Sequence, residues 1–490
     1  MLGLKKSEHM VIRFKFAFFT VILSAAVFCS CMSVKTYPEL GSAASAAPFP
    51  TGTISGTLEN GLRYYIFEST EPEGSAIIAL AVNAGSAQEP DGKQGVANFA
   101  GHVVDSSAET DVENTVFKVE VPVENDGGVR RIPQEILSMV NERTYNAEFT
   151  NASAGEVRLR LLSGYREKEL LTDFIIDVKI KEIIYQGSPY RDHANVLGSE
   201  ETIESAAPSE LEKFYTTWYR PDNMALIFVG DFDGAALEEQ IIRTFDAPPG
   251  KRPFDRVRYG LPLPEKNITN VEYFTNPGLT STSIQLFYKM SPKPRSASIE
   301  NFHDDMINDI VSEILDKRFK QLVEKNPSIL NIYFRNIGVG RSSRFFELGA
   351  DITPGGERDA LLALLKEKEN LFRLTVSEQE FNLEKENYLS RLSGEAEVKR
   401  ESSVLVNDFI EYYLKNKPIP DVEWKKYAAN ILFSQIKNSE ISDALHSLFT
   451  PNDLMVFICG SDGENLPKES DVKRLVREAA QKSTGNSASN

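Results

Sequence analysis

Apolar residues recur at helical spacing over residues 210–218, where Leu211, Phe214, Tyr215 and Trp218 fall on one face. Pro221 cannot continue a helix, and a run of apolar residues from Met224 to Val229 follows it, closed by Gly230. This is the pattern of a helix, a stop and a strand buried on both faces. The same pattern returns at 440–461, with Ile441, Ala444, Leu445 and Leu448 on the helix, Pro451 at the stop, Leu454–Cys459 as the strand and Gly460 at its end. The offset is constant at 230 residues, from 210 to 440 and from 221 to 451. Two copies of one unit are the simplest reading.

The starts of the two copies also correspond. Asn60-Gly61 has the composition of a tight hairpin turn ahead of a strand over 75–82, and 282–290 is that strand's counterpart. In the second copy, Met306, Ile307, Ile310, Val311, Ile314 and Leu315 mark a helix over 302–323. A strand is expected over 345–352, and Ser377 with Glu380 forms a capping box that opens a further long helix. Gly338-Val339-Gly340 reads as a turn. Strands and helices alternate, with helices long enough to cover a sheet face. The fold class is therefore α+β, present twice. The first unit runs over 51–246, a linker rich in Pro and Asn over 247–270, the second unit over 271–470, and a polar tail over 471–490.

The N-terminus follows different rules. Lys5, Lys6, Arg13 and Lys15 precede an uncharged apolar run from Phe16 to Phe28, the layout of an export signal and too short to span a bilayer. The run ends in Phe28-Cys29-Ser30-Cys31. That places Cys31 as the lipidated residue of a lipoprotein signal over 1–31, followed by a Ser-, Ala- and Pro-rich flexible tether over 32–50.

Composition narrows the chemistry. The 490 residues carry 54 basic and 71 acidic side chains, a net charge of −17 that disfavours nucleic acid as a partner. Of three cysteines only Cys459 lies beyond the signal, so neither a disulfide framework nor a Cys-based zinc finger can form within one molecule. Five histidines (His9, His102, His193, His303 and His446) limit any metal site further. No phosphate-binding loop and no Gly-x-Ser-x-Gly elbow is present.

Several stretches resemble the insulinase/pitrilysin (M16) metallopeptidase family. They are LENGLRYYIF, VNAGSAQEPDGKQGVANFAGH, and the longer GSPYRDHANVLGSEETIESAAPSELEKFYTTWYRPDNMALIFVGDFD. The resemblance covers most of residues 56–234 and is weaker over 279–462. It implies two homologous α+β domains, each a sheet covered by helices, facing each other as a clamshell. It also implies zinc, held by an inverted His-x-x-Glu-His motif on one helix. There, histidines at i and i+4 share a face, and the glutamate deprotonates the metal-bound water.

Here that stretch reads Asn98-Phe99-Ala100-Gly101-His102. Asn98 stands at the first ligand, Gly101 at the base, and His102 alone keeps the family's residue. An amide is a poor zinc ligand and glycine accepts no proton. Glu156 is the best match to the third ligand position, although a solvated helix charge is the simpler account of it. The family's substrate-holding arginine and tyrosine would fall near Val323 and Tyr333, the first replaced and the second matched only with a gap.

The resemblance thus implies an exported pseudopeptidase for which no cofactor is expected. Its partners would be a peptide or unfolded polypeptide, an active M16 subunit, and the membrane through its lipid anchor. Two alternatives stand beside this reading. One is an active metallopeptidase built from His102 with two of His193, Glu156, Glu109 and Glu113, in which His193 would otherwise be an exposed polar residue. The other is a purely structural envelope lipoprotein.

Overall fold

The computed structural model describes residues 36–37, 39–168, 170–245, 260–263, 265, 268–339, 343–395, 399–449, 454–461 and 466–485. In chain order its strands and helices begin with β1 (Thr36–Tyr37), β2 (Gly41–Ser42), β3 (Ile54–Thr57), β4 (Arg63–Glu68), β5 (Ser75–Val82), α1 (Val96–Val104), β6 (Glu109–Thr110) and β7 (Thr115–Pro122). The hairpin β8 (Glu124–Asp126) and β9 (Val129–Arg131) leads to α2 (Gln134–Tyr145), α3 (Asn151–Lys168), α4 (Thr172–Ile184), α5 (Glu200–Ser205), α6 (Pro208–Trp218), β10 (Met224–Gly230) and α7 (Gly234–Thr244). The second unit has β11 (Thr269–Thr275), β12 (Thr282–Met290), α8 (Ile299–Lys325), β13 (Ile329–Val339), β14 (Ser343–Ile352), α9 (Glu357–Phe372) and α10 (Glu378–Glu395). It ends with α11 (Ser402–Lys415), α12 (Val422–Phe433), α13 (Asn438–Leu448), β15 (Leu454–Gly460) and α14 (Glu469–Gly485).

The repeat is visible as a repeated sheet. One sheet is ordered β3-β4-β10-β5-β7-β6 and the other β11-β15-β12-β14-β13. In both, the all-buried strand read from the sequence (β10 or β15) runs parallel to one neighbour and antiparallel to the other. The 230-residue offset holds for β10 and β15, for α6 and α13, and for α4 and α11. The Asn60-Gly61 turn joins β3 to β4, with Gly61 at φ +93° and no room for a side chain against Asp222. The Ser377 cap is present, its hydroxyl accepting from the Glu380 N–H at 3.1 Å.

Each sheet packs one face on its own helices. The other faces are covered by an exchange. Helix α11 of the second unit lies on the first sheet, placing Leu405, Val406, Phe409 and Ile410 against Tyr65, Ala79, Ala225 and Ile227. Its repeat equivalent α4 lies on the second sheet, placing Ile180 and Ile184 in the cluster with Phe287, Phe345 and Phe457. The two homologous units therefore face each other and interlock through equivalent helices.

Three expectations are corrected here. The stretch read as a flexible tether is docked from residue 36 onward. Tyr37 is 1% exposed, with its ring 5.8 Å from that of His303. The Ala47 N–H donates to the Ala297 carbonyl, and Phe49 stacks among Tyr65, Phe409 and Tyr412. Its small residues fit close to the body, which composition alone cannot distinguish from a tether. The polar tail over 471–490 begins as helix α14, which buries Val472, Leu475 and Ala479. Its many charges lie on the outer face and hide an apolar stripe at helical spacing. Gly338 and Val339 end strand β13 rather than form a turn. The export signal, Cys31 and most of the linker lie outside the described residues. No helix among the described residues is long and apolar enough to cross a membrane.

Candidate functional site

Helix α1 carries the motif remnant and is buried on nearly every side. Its start is fixed by Glu89, whose Oε1 accepts the N–H groups of Gly95 at 3.0 Å and Ala97 at 2.8 Å. A carboxylate at a helix N-terminus answers orphan donors and the helix dipole together. The other oxygen, Oε2, lies 3.6 Å from His193 Nδ1, an ion-pair distance rather than a hydrogen bond. Both side chains are buried. Burial raises the Glu89 pKa, and His193 with the two N–H donors offsets part of the rise. His193 is thus a buried partner of a helix cap, not an exposed loop residue. Glu89 was not singled out from the sequence, although an acid shortly ahead of an apolar helix is a usable capping signal.

The residues of this stretch are packed against their neighbours. Asn98 is 5% exposed. A Cβ at Gly101 would sit 3.2 Å from the Ala108 Cβ, 3.3 Å from Thr115 Cγ2 and 3.5 Å from Thr110 Oγ1. The base position therefore points into filled space. His102 is half-buried, and its Nδ1 is buried with no hydrogen-bond partner among the described residues. Its pKa lies below the ordinary imidazole value, chiefly through desolvation and then through the charges of Arg160 and Lys168. Arg160 also donates to the His102 carbonyl at 3.4 Å. The Asp105 carboxylate acts in the opposite direction, and it is already paired with Arg143.

The remaining candidates are dispersed. Glu156 is exposed on α3, whose inward residues are Ala154 and Val157. Glu109 pairs with Lys118 at 3.3 Å. Glu113 accepts from the Tyr190 hydroxyl at 2.5 Å. Among the described residues, no group of three His, Cys, Asp or Glu is placed to hold a metal. Tyr333 lies on β13, accepting from Gln285 Nε2 at 2.8 Å, with its ring over Gly349. Burial pushes its hydroxyl up to about 12. Val323 packs at the end of α8 against the second unit's core.

The cations around His102 were not legible. Arg160 and Lys168 are 58 and 66 residues away in sequence, and only the packing of α3 on α1 brings them near.

Comparison with known proteins fits this geometry. Residues 205–388 match the family described as Peptidase M16 inactive domain. The probable zinc protease PqqL of Haemophilus influenzae is 24% identical over 351 residues, covering 65% of this chain and 36% of that protein. The probable zinc protease PqqL of Escherichia coli is 22% identical over 443 residues, covering 83% and 46%. The chain thus spans less than half the length of these curated relatives. The crystal structure of the first half of the periplasmic protease PqqL from Escherichia coli superposes with a TM-score of 0.79 at 18% identity, covering 89% of this chain and 98% of that one. The ferredoxin protease FusC, solved in complex with Arabidopsis ferredoxin, gives a TM-score of 0.71 at 22% identity, covering 89% of this chain and 51% of that one. The match over residues 205–388, the PqqL relatives and the two interlocked α+β units together support membership of the M16 peptidase family.

Proposed function

We propose that this chain is a non-hydrolytic member of the family, exported and lipid-anchored through Cys31. In this role it binds extended peptides or serves as the non-catalytic partner of an active M16 subunit. The observation that carries the reading is the environment of α1. The base position, Gly101, faces filled space, and His102 is held beside Arg160 and Lys168. Neither condition suits a zinc ion or the water it would activate.

The chain spans about half of the full PqqL and FusC chains. The Escherichia coli relative is named a periplasmic protease, which agrees with an export signal over 1–31. The FusC structure contains a protein bound to that relative, which favours polypeptide over small molecules as the ligand class here.

Zinc content per chain of the purified full-length protein, beside its His102→Ala variant, tests the reading. Substoichiometric zinc unaffected by the substitution is expected. One zinc per chain, lost on substitution, would replace this reading with a rearranged metal site.

A further inference from the structure

The two sheets treat their corresponding edges differently. In the first sheet the edge beyond β7 is β6, two residues long. In the second the equivalent edge is β13, eleven residues long and paired within its sheet to β14 alone. Its sequence ILNIYFRNIGV holds one charge, Arg335, and no proline. Soluble proteins blunt such an edge with charges, proline, a bulge or a short strand. The one irregularity here is at its start, between Ile329 and Asn331, and Leu330 beside it is 56% exposed. Nine residues of regular, unblunted edge remain from Asn331 to Val339.

The far end of this edge opens on a cavity of about 380 Å³ between the units. Asn336–Val339 line it, as do Lys293, Arg295, Arg344, Lys415 and Lys417. Four of these cations are already engaged: Lys293 with Asp304, Arg295 with Asp305, and Lys415 and Lys417 with Glu411. Arg344 is the exception. Among the described residues it has no carboxylate at ion-pair distance. It donates only to the Ser291 carbonyl at 3.3 Å, and its Nε is buried without a partner. Arg344 stands directly opposite Gly338 in the β13–β14 register. Gly338 has open space where a side chain would project, so nothing at that position screens Arg344 from the edge.

We infer that β13 is a strand-addition site for an extended peptide whose carboxylate end is received by Arg344. The backbone of the edge supplies sequence-independent affinity, and the guanidinium selects the end. This deepens the peptide-binding reading above and rests on it. The net charge of −17 repels acidic ligands in general, so selection of a carboxylate has to be local.

The test uses the full-length protein and a fluorescein-labelled peptide of about nine residues, alternating threonine and valine, roughly 30 Å when extended. One form ends in glutamate with a free carboxylate, the other in glutamine with an amide. The acidic form is expected to bind about tenfold tighter, the hydrogen bonds to a charged group being the stronger ones. Arg344→Gln should erase that difference. Leu330→Lys with Asn331→Lys, both at exposed positions, should weaken both peptides about fivefold by adding the charges the edge lacks. Unchanged melting temperatures would show that the variants fold. Peptide binding that ignores all three substitutions overturns the β13 site and leaves the peptide-binding reading standing. Failure of every peptide to bind overturns both. A concentration-dependent dimer abolished by the lysine variants would assign the edge to a second copy of the chain instead.

Discussion

The two units share a sheet order and a helix exchange, yet their corresponding helices α1 and α8 surround a histidine in opposite ways. His102 on α1 lies among Arg160 and Lys168. His303 on α8 has Nδ1 3.7 Å from Asp304 and Nε2 3.8 Å from Glu440, with the Tyr37 ring alongside. Helix α1 is nine residues long and α8 is 27. What the repeat preserves is packing: the buried central strands, the exchanged helices and the sheet register. Charge around the helix that bears the family's chemistry is free to differ, because no core contact depends on it.

The largest test of that comparison removes a shared packing feature. Phe409 on α11 is 1% exposed and meets the rings of Phe49, Tyr65 and Phe67 on the first unit's side. Phe409→Ala should cost about 4 kcal/mol, from lost burial plus the cavity left behind. Because α4 and α11 are exchanged, unfolding should remain a single transition followed by either near-UV circular dichroism or calorimetry. Two resolved transitions would mean that the units are thermodynamically separate despite the exchange.

Restoring the family's residues at the motif sharpens the chemical side. Asn98→His with Gly101→Glu should not create a zinc site. The new carboxylate would enter the space held by Ala108, Thr110 and Thr115. Burying it there should destabilise the fold by about 3 kcal/mol. Denaturant unfolding measures the cost, and metal analysis of the folded fraction measures the zinc. Stoichiometric zinc at unchanged stability would show that two side chains alone separate this chain from an active site.

Much of the scaffold was readable in the sequence because it is local and periodic. The helix-stop-strand corner at 210–231 returns at 440–461 with every element in place through α13, and β15 follows at the same offset. The stretch from Asn98 to His102, read as a degenerate motif, lies on helix α1. What escaped depends on contacts between distant segments. The strap at Tyr37 and Phe49 reads as a spacer because alanine, serine and proline serve both purposes. The burial of His193 comes from Glu89, more than a hundred residues upstream. Strand β13 escaped because both of its faces mix apolar and polar residues, with no alternation to mark it.

The Glu89–His193 pair offers a smaller, pH-dependent test. Burial raises the folded-state pKa of Glu89 above the unfolded value near 4.5. The folded state therefore holds this proton more tightly than the unfolded state. Its contribution is fully present below pH 4.5 and is lost as pH rises through the raised value. Glu89→Gln keeps an acceptor for Gly95 and Ala97 and removes the titration. Over that window the variant should gain on the native protein by up to about 1.4 kcal/mol per pH unit. Parallel pH profiles of the two proteins would show that Glu89 titrates alike in both states.

The smallest expected effect is the most direct on the comparison between the two histidines. Desolvation, Arg160 and Lys168 together hold the His102 pKa below 6.5, so the neutral ring is the folded form near neutral pH. The sign follows: stability from this group is present above the unfolded value and is lost as pH falls through the depressed one. Arg160→Ala removes one cation and leaves desolvation, the larger cause, in place. The pKa should therefore rise by a few tenths and stay below 6.5, because one exposed charge at this range is worth only a fraction of a kcal/mol. An NMR titration of the His102 ring measures it. A His102 value above 6.5 in the variant would show that Asp105, which already raises the pKa, outweighs desolvation at the ring, and would count against the packing of α3 on α1.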